Sequence, residues 1–293
     1  MVEEYIAALR EQGFDFSDVK RTGHSKAKLL HYVPLIGQSR FDEFVHPFRP
    51  VVQRGERVGV DNVLRLYRFD RRLRLLTLDA VERIEVSLKG LLEPELVAAH
   101  GNTWHLNRDL LKTIAPDLYD SIKSDLERTP LMSALKSEGK NYEHFPVNRV
   151  LDNLSFGRVE LLLKILPPAP NGPLSRIAGN FGLVNPIFQS WIKASRTVRN
   201  TAAHHARLWN RRLQAKPIVP ANIKEQIGDV QDDFVERYYG AAVVLSALVG
   251  RIGRNSQWKL RLRRLIEENN VGYLDIKGTM GFPEDWWETD FWK

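Results

Sequence analysis

From Val60 to Ala99 the chain reads VDNVLRLYRFDRRLRLLTLDAVERIEVSLKGLLEPELVAA, and this run constrains the fold more than any other. Val63, Tyr67, Leu73, Leu76, Ala80, Ile84, Leu88 and Leu91 recur at the three- and four-residue spacing of one helix face, not at the alternation of a strand. Asp70 with Arg74, and Glu85 with Lys89, are i,i+4 pairs of the kind that support an exposed helix face by a few tenths of a kcal/mol each. Gly90 and Pro94 predict a kink or break near its end. The same spacing predicts further helices at 25–37, 107–127, 147–166, 186–210, 222–250 and 257–268. Proline- and glycine-rich stretches at 46–59, 166–173, 214–222 and 250–256 predict loops. One short β element fits near 50–60, but no set of alternating strands occurs. The expected fold is all-α, a multi-helix bundle with little or no β. The loop at 166–173 either divides two helical lobes or connects helices within one bundle.

Length and charge bound the function. A chain of 293 residues buries a sizeable core. Its 43 Lys and Arg against 36 Asp and Glu give a net charge of +7, which favours a polyanionic partner without proving one. Cysteine is absent, so disulfides and thiolate metal sites are excluded and a reducing compartment is expected. The start, MVEEYIAALREQGFDF, has acidic residues where a secretion signal has basic ones, and no apolar stretch behind them. The longest apolar run, GAAVVLSALVG at 240–250, is too short to span a bilayer. These features predict a soluble, cytoplasmic protein without a membrane partner.

The stretch RTVRNTAAHHARLWNRR, residues 196–212, is where chemistry concentrates. Asn185 and Pro186 resemble an N-cap and a first-turn proline, so a helix is expected to run from there towards Arg211. At about 100° per residue, Arg196, Asn200 and His204 share one stripe, with Arg207 and Arg211 close to its continuation and Arg199 beside it. Adjacent His204 and His205 point about 100° apart, which argues against one shared task. Cleavage of RNA by its own 2′-hydroxyl needs a group that moves protons and a positive charge that steadies the phosphorane oxygens. Histidine suits the first task, and arginine's fork suits the second better than lysine does. That chemistry requires no metal and no cofactor. A solvated basic face with Leu208 and Trp209 in the core explains the same spacing.

RNTAAHHARLWNRR resembles the Arg-Asn-x-x-x-His-His-x-Arg-Leu-Trp-Asn-Arg segment of the Abi family, the bacterial abortive-infection proteins. LYRFDRRLRLLTLDAVERIEVSLKGLL at 66–92 is similar to the family's Tyr-x-Phe-Asp helix, LDNLSFGRVELLLK at 151–164 to its Leu-Ser-Phe-Gly segment, and MGFPEDWW at 280–287 to its common ending. The family is assigned to the HEPN superfamily of all-helical domains, whose Arg-x4-6-His motif marks metal-independent endoribonucleases. The resemblance therefore implies a HEPN-like bundle with Arg199 and His204 as catalytic residues and Asn200 as the polar residue that accompanies the arginine. It implies an antiphage RNase toxin with an RNA substrate, a homodimer that completes a composite site, and an RNA or protein antitoxin as restraint. On this reading residues 1–24 are an N-terminal helix or extension, 25–250 the Abi-family domain, and 251–293 a C-terminal helix and aromatic tail. Arg40 to His46 lacks the asparagine and ends against Pro47, so it is a poor second motif.

Supporting roles are open at more positions. Arg196, His205, Arg207 and Arg211 are candidates for RNA binding or support. Asp152 stands where a glutamate is expected, and acts either on the motif or as an ordinary cap or surface residue. Ser155, Phe156 and Gly157 read as a close helix crossing, and Tyr67, Phe69 and Asp70 as core anchors. Arg71, Arg72 and Arg74, and the basic amphipathic segment 258–269, read as solvated faces that could touch phosphate. The tail GFPEDWWETDFWK is expected to pack on the protein's own body. His24, His31, His100, His105 and His144 have no ligand spacing and read as surface or capping residues. The rival function is a module that grips RNA or a partner with the same basic helix and does not cut.

Overall fold

The computed structural model describes residues 2–16, 25–167, 169–253, 255–269 and 271–293. Four helices, α1 (Val2–Glu11), α2 (Ser25–Ile36), α3 (Gln38–Val45) and α4 (Arg49–Gln53), lead into the long α5 (Val60–His100). Then come α6 (Arg108–Lys112), α7 (Leu118–Glu127), α8 (Pro130–Ser137), α9 (Phe156–Leu162), α10 (Pro173–Asn180) and α11 (Asn185–Ala203). The last three are α12 (Ala221–Ile227), α13 (Tyr238–Ile252) and α14 (Trp258–Glu267). Among the described residues the only sheet is a parallel pair, β1 (Phe14–Asp15) with β2 (Val58–Gly59), in register Phe14 to Val58 and Asp15 to Gly59. The fold is all-α.

Helix α5 is the spine. Val63, Leu66, Leu73, Leu76, Ala80, Ile84, Leu88, Leu92 and Leu96 are buried along one face, as the sequence period requires. A kink or break is expected at Gly90 or Pro94, and the helix does not break at either. Both flanks of Pro94 are fixed in the core by Leu92 and Leu96, and the helix runs on to Gly101, whose φ of 77° ends it. Helix α13 carries the run GAAVVLSALVG and is buried nearly all round, which makes it the centre of the bundle. Tyr238 at its start shares a 2.8 Å hydrogen bond with Thr77 of α5, and the indole of Trp258 on α14 donates to the carbonyl of Leu76 at 2.9 Å.

Several expected helices are shorter than their periodic pattern. Residues 107–127 form two helices, separated at Pro116, which has no N–H to carry the ladder across. Residues 147–166 contain two 3₁₀ turns before α9 begins behind Ser155. Residues 222–250 break at Gly228, whose φ is 70°. Conversely 46–59, expected as loop, holds a 3₁₀ turn and α4, because Phe48 and Val51 are buried there. Helix α13 runs three residues into the expected 250–256 loop.

The aromatic tail folds onto the body. Phe282, Trp286, Phe291 and Trp292 are buried, and the Trp292 indole donates to the Tyr239 hydroxyl at 3.1 Å. Among the described residues no helix is long and apolar enough to cross a membrane.

Candidate functional site

Helix α11 buries Phe188, Trp191, Ile192, Val198 and Ala202 against the bundle and turns Arg196, Arg199 and Asn200 to its half-exposed side. It stops at Ala203, so the expected helix to 210 is corrected. The stop has a defined geometry. The His205 amide donates to the carbonyl of Ala202 at 3.1 Å and the Ala206 amide to that of Thr201 at 3.1 Å, the crossed pair of a Schellman cap. His205 occupies the left-handed position of that cap with φ 57°, where glycine is usual. His205, a candidate for RNA binding or support in the sequence reading, occupies the position that terminates the helix.

What holds the following loop down is Asp70. Its Oδ1 accepts the backbone amides of Leu208 at 2.8 Å and Trp209 at 2.7 Å, while Oδ2 accepts Nε of Arg74 at 2.9 Å. Asp70 is fully buried and the Arg74 side chain nearly so, which corrects the expectation that this pair decorates an exposed face. Burial pushes the Asp70 carboxyl above the usual carboxylate range, and the Trp209 amide, Arg74 and the Leu208 amide pull against that shift. An uninterrupted helix would keep the Leu208 and Trp209 amides for its own ladder, so the carboxylate and the continued helix are mutually exclusive. Asn210, with φ 48°, makes the second left-handed turn of this loop.

The proposed site residues fall into three groups. Arg199 donates through Nη1 to the Asn200 side-chain oxygen at 3.3 Å, which draws its guanidinium towards the Asn200 side of the helix. His204 follows one turn after Asn200, exposed, its amide donating to the Asn200 carbonyl at 3.0 Å. Among the described residues no side chain bonds the His204 ring.

Arg196, Asn200 and Arg211 line a cleft of about 450 Å³ together with Lys193 and Gln214. Arg211 reaches it through the loop, not along a helical stripe, and Arg196 is anchored there by Glu160 of α9. Arg207 leaves the cleft: it donates to the carbonyl of Glu43 at 2.6 Å and lies over the Trp209 ring. Arg199 also borders a second cleft, of about 280 Å³, with Glu82, Glu85 and Lys89 of α5.

The remaining candidates sit elsewhere. Asp152 pairs with Arg149 at 3.7 Å on the surface and makes no bond to Arg199 or His204, so its supporting role is corrected to that of a surface residue. The Leu-Ser-Phe-Gly segment is held instead by Lys89, which donates to the Leu154 carbonyl at 3.0 Å. Gly157 faces Arg196, where an added Cβ would meet Cδ at 3.5 Å, an ordinary contact. His144 caps a turn with Asn141, as expected. His105 does not fit the surface reading: it is 1% exposed, neither ring nitrogen has a partner among the described residues, and burial drives its pKa down to about 4. His24 lies outside the described residues. Among the described residues no group of three or more His, Cys, Asp or Glu could hold a metal ion.

Sequence reasoning missed Glu160 as the anchor of Arg196, for which no sequence signal exists, and the bond from Asp70 to the motif loop. Asp70 did leave a signal: it is an acid inside an apolar-flanked run.

The Abi-like protein family model matches residues 31–210, which is more than half of the chain. The chain belongs to the Abi-like protein family. The match contains Asp70, Asp152 and Arg199 to His204, and it ends at Asn210, before α13, α14 and the tail. Membership points to abortive-infection defence. No curated protein and no solved structure matches the chain.

Proposed function

We propose that this Abi-like protein is a metal-independent endoribonuclease of the HEPN type that halts growth during phage infection. One observation carries the reading: the Arg199 guanidinium is tethered to Asn200 one turn before an exposed His204 that has no side-chain partner among the described residues. A phosphodiester laid across the helix end meets a fork that suits two phosphate oxygens and an imidazole free to move a proton. The 2′-hydroxyl attacks the adjacent phosphorus, the bond to the 5′-oxygen breaks, and the products are a 2′,3′-cyclic phosphate and a 5′-hydroxyl. One proton leaves the 2′-oxygen and one reaches the departing 5′-oxygen. A single imidazole cannot perform both transfers at once, so a second copy that brings its own motif opposite completes the site as a homodimer. Arg211, without an ion pair among the described residues, contributes positive charge beside Asn200.

The test is incubation of purified protein with single-stranded RNA in EDTA, beside Arg199→Ala and His204→Ala. Wild type should yield fragments with cyclic phosphate ends and both variants none, and expression of wild type alone should stop growth. Intact RNA with the wild type, or full cleavage by His204→Ala, refutes the reading. RNA bound but not cut by either protein establishes the gripping module in its place.

A further inference from the structure

A second basic feature lies away from the motif. Arg65, Arg68 and Arg72 stand at three- and four-residue spacing on α5, and Arg261 and Arg264 of α14 face them across a groove of about 490 Å³. Phe69 and Leu265 supply its apolar wall, Asn269 an amide, and Glu268 its one carboxylate. Five arginines and one carboxylate thus line the groove. Several arginines elsewhere are answered locally, Arg49 by Asp42, Arg158 by Asp125 and Arg176 by Glu95. In the groove Arg261 has Asp79 at 2.9 Å, but Arg68, Arg72 and Arg264 are exposed with no carboxylate in ion-pair reach among the described residues.

The groove is rigid. Trp258, Leu262 and Ile266 are buried beneath α14, and the Trp258 indole bonds the Leu76 carbonyl. The expected set Arg71, Arg72 and Arg74 is therefore corrected in part: Arg74 is committed to Asp70, Arg71 does not line the groove, and Arg72 does.

We infer that this groove binds the sugar-phosphate backbone of a single-stranded nucleic acid. Arg68 and Arg72 are one turn apart, about 6 Å along the helix axis, so the charge forms a row suited to successive phosphates and not to one isolated anion. Forked guanidinium groups hold phosphate oxygens in pairs. A groove of about 490 Å³ is too small to take in a duplex, which leaves a single strand. A single amide offers little to read base edges, so the groove grips without sequence preference. Asp70, within the same turns of α5, points to the motif loop, which places groove and loop on different sides of one helix. Binding in the groove does not require cleavage at the motif, so the two readings fail separately.

The test uses full-length His204→Ala protein and fluorescence anisotropy with a labelled 20-nucleotide RNA, the DNA of the same sequence, and a hairpin duplex. Arg68→Glu/Arg72→Glu/Arg264→Glu should weaken RNA binding at least tenfold and lower the slope of log affinity against log salt by about 2, since each phosphate contact on a single strand contributes about 0.7. Lys112→Glu/Arg128→Glu/Lys136→Glu makes the same change in net charge at exposed sites that do not line the groove. If it weakens binding equally, the effect is net charge alone and the inference falls. Binding within twofold of the parent after the groove substitutions also overturns it, as does tripolyphosphate binding as tightly as the 20-mer, or preference for the duplex. Comparable affinity for DNA and RNA supports backbone recognition, and a preference for RNA assigns contact to the 2′-hydroxyl. Should charge reversal shift the urea midpoint, Arg68→Ala/Arg72→Ala is measured in its place, with at least a threefold loss expected and an unchanged affinity refuting the groove.

Discussion

Replacing Asp70 by alanine removes one buried carboxylate and strands three donors. The amides of Leu208 and Trp209, both in residues at most 1% exposed, lose their acceptor, and the guanidinium of Arg74 is left in the core without a counter-charge. A buried donor left unpaired costs about 1–3 kcal/mol, and removing one partner of a buried ion pair about 3–5 kcal/mol. These terms overlap, so the expected loss is about 3–5 kcal/mol, a large share of the roughly 5–15 kcal/mol that holds a domain folded. Asp70→Asn keeps an oxygen for the two amides and sets an NH₂ against Arg74, so it should lose roughly half as much. Urea unfolding followed by circular dichroism reads the difference. With a denaturant slope near 3 kcal/mol per molar, the alanine variant's midpoint falls by about 1 M or more. Hydrogen exchange at Leu208 and Trp209 should rise in Asp70→Ala and stay close to wild type in Asp70→Asn. A stability loss below 1 kcal/mol in the alanine variant refutes the clamp. Exchange at those amides that is equal in the two variants refutes the claim that the carboxylate oxygen, and not the ion pair, holds the loop.

Three further substitutions separate structure from chemistry. His205→Gly relieves a left-handed backbone at the helix cap and should stabilise the fold by about 0.5–1 kcal/mol, with RNA cleavage unchanged; a loss of cleavage with raised stability would return His205 to the chemistry. Gly157→Ala adds a methyl group at ordinary contact distance inside α9, so its thermal midpoint should rise, by about 0.5–1 kcal/mol equivalent, and a fall would refute room for a methyl group beside Arg196. His105 has its folded pKa lowered to about 4, against about 6.5 when unfolded, so the unfolded chain binds the extra proton and stability is lost as pH falls from 6.5 to 4. That window is worth up to about 3 kcal/mol. His105→Phe should lack this loss, its stability advantage over wild type growing between those pH values in urea titrations, and a pH-independent difference would refute the assignment.

Much of the bundle was legible because burial is periodic. The stripe from Val63 to Leu91 needed only the helical repeat, and α13 only its apolar run. The illegible parts are those where a distant group decides. Pro94 reads as a break, yet Leu92 and Leu96 in the core hold the helix through it. Phe48 and Val51 sit among prolines that read as loop, yet their burial winds a turn of helix around them.

The motif shows the same rule at its sharpest. Arg199, Asn200 and His204 could be named from the sequence, but not the conformation that carries them, because a local reading continues α11 through Leu208 and Trp209. Beyond the helix end Asp70, a residue 138 positions earlier than Leu208, takes two amides that a continued helix would need. A left-handed histidine then supplies the cap that glycine supplies elsewhere. The cost of that backbone is set against a buried carboxylate that is fully satisfied only when the loop is in place. The arrangement leaves His204 at a free helix end, while an unbroken helix would present it in mid-turn with His205 alongside. The geometry of the proposed site is therefore a property of the pair α5 and α11, and neither segment encodes it alone.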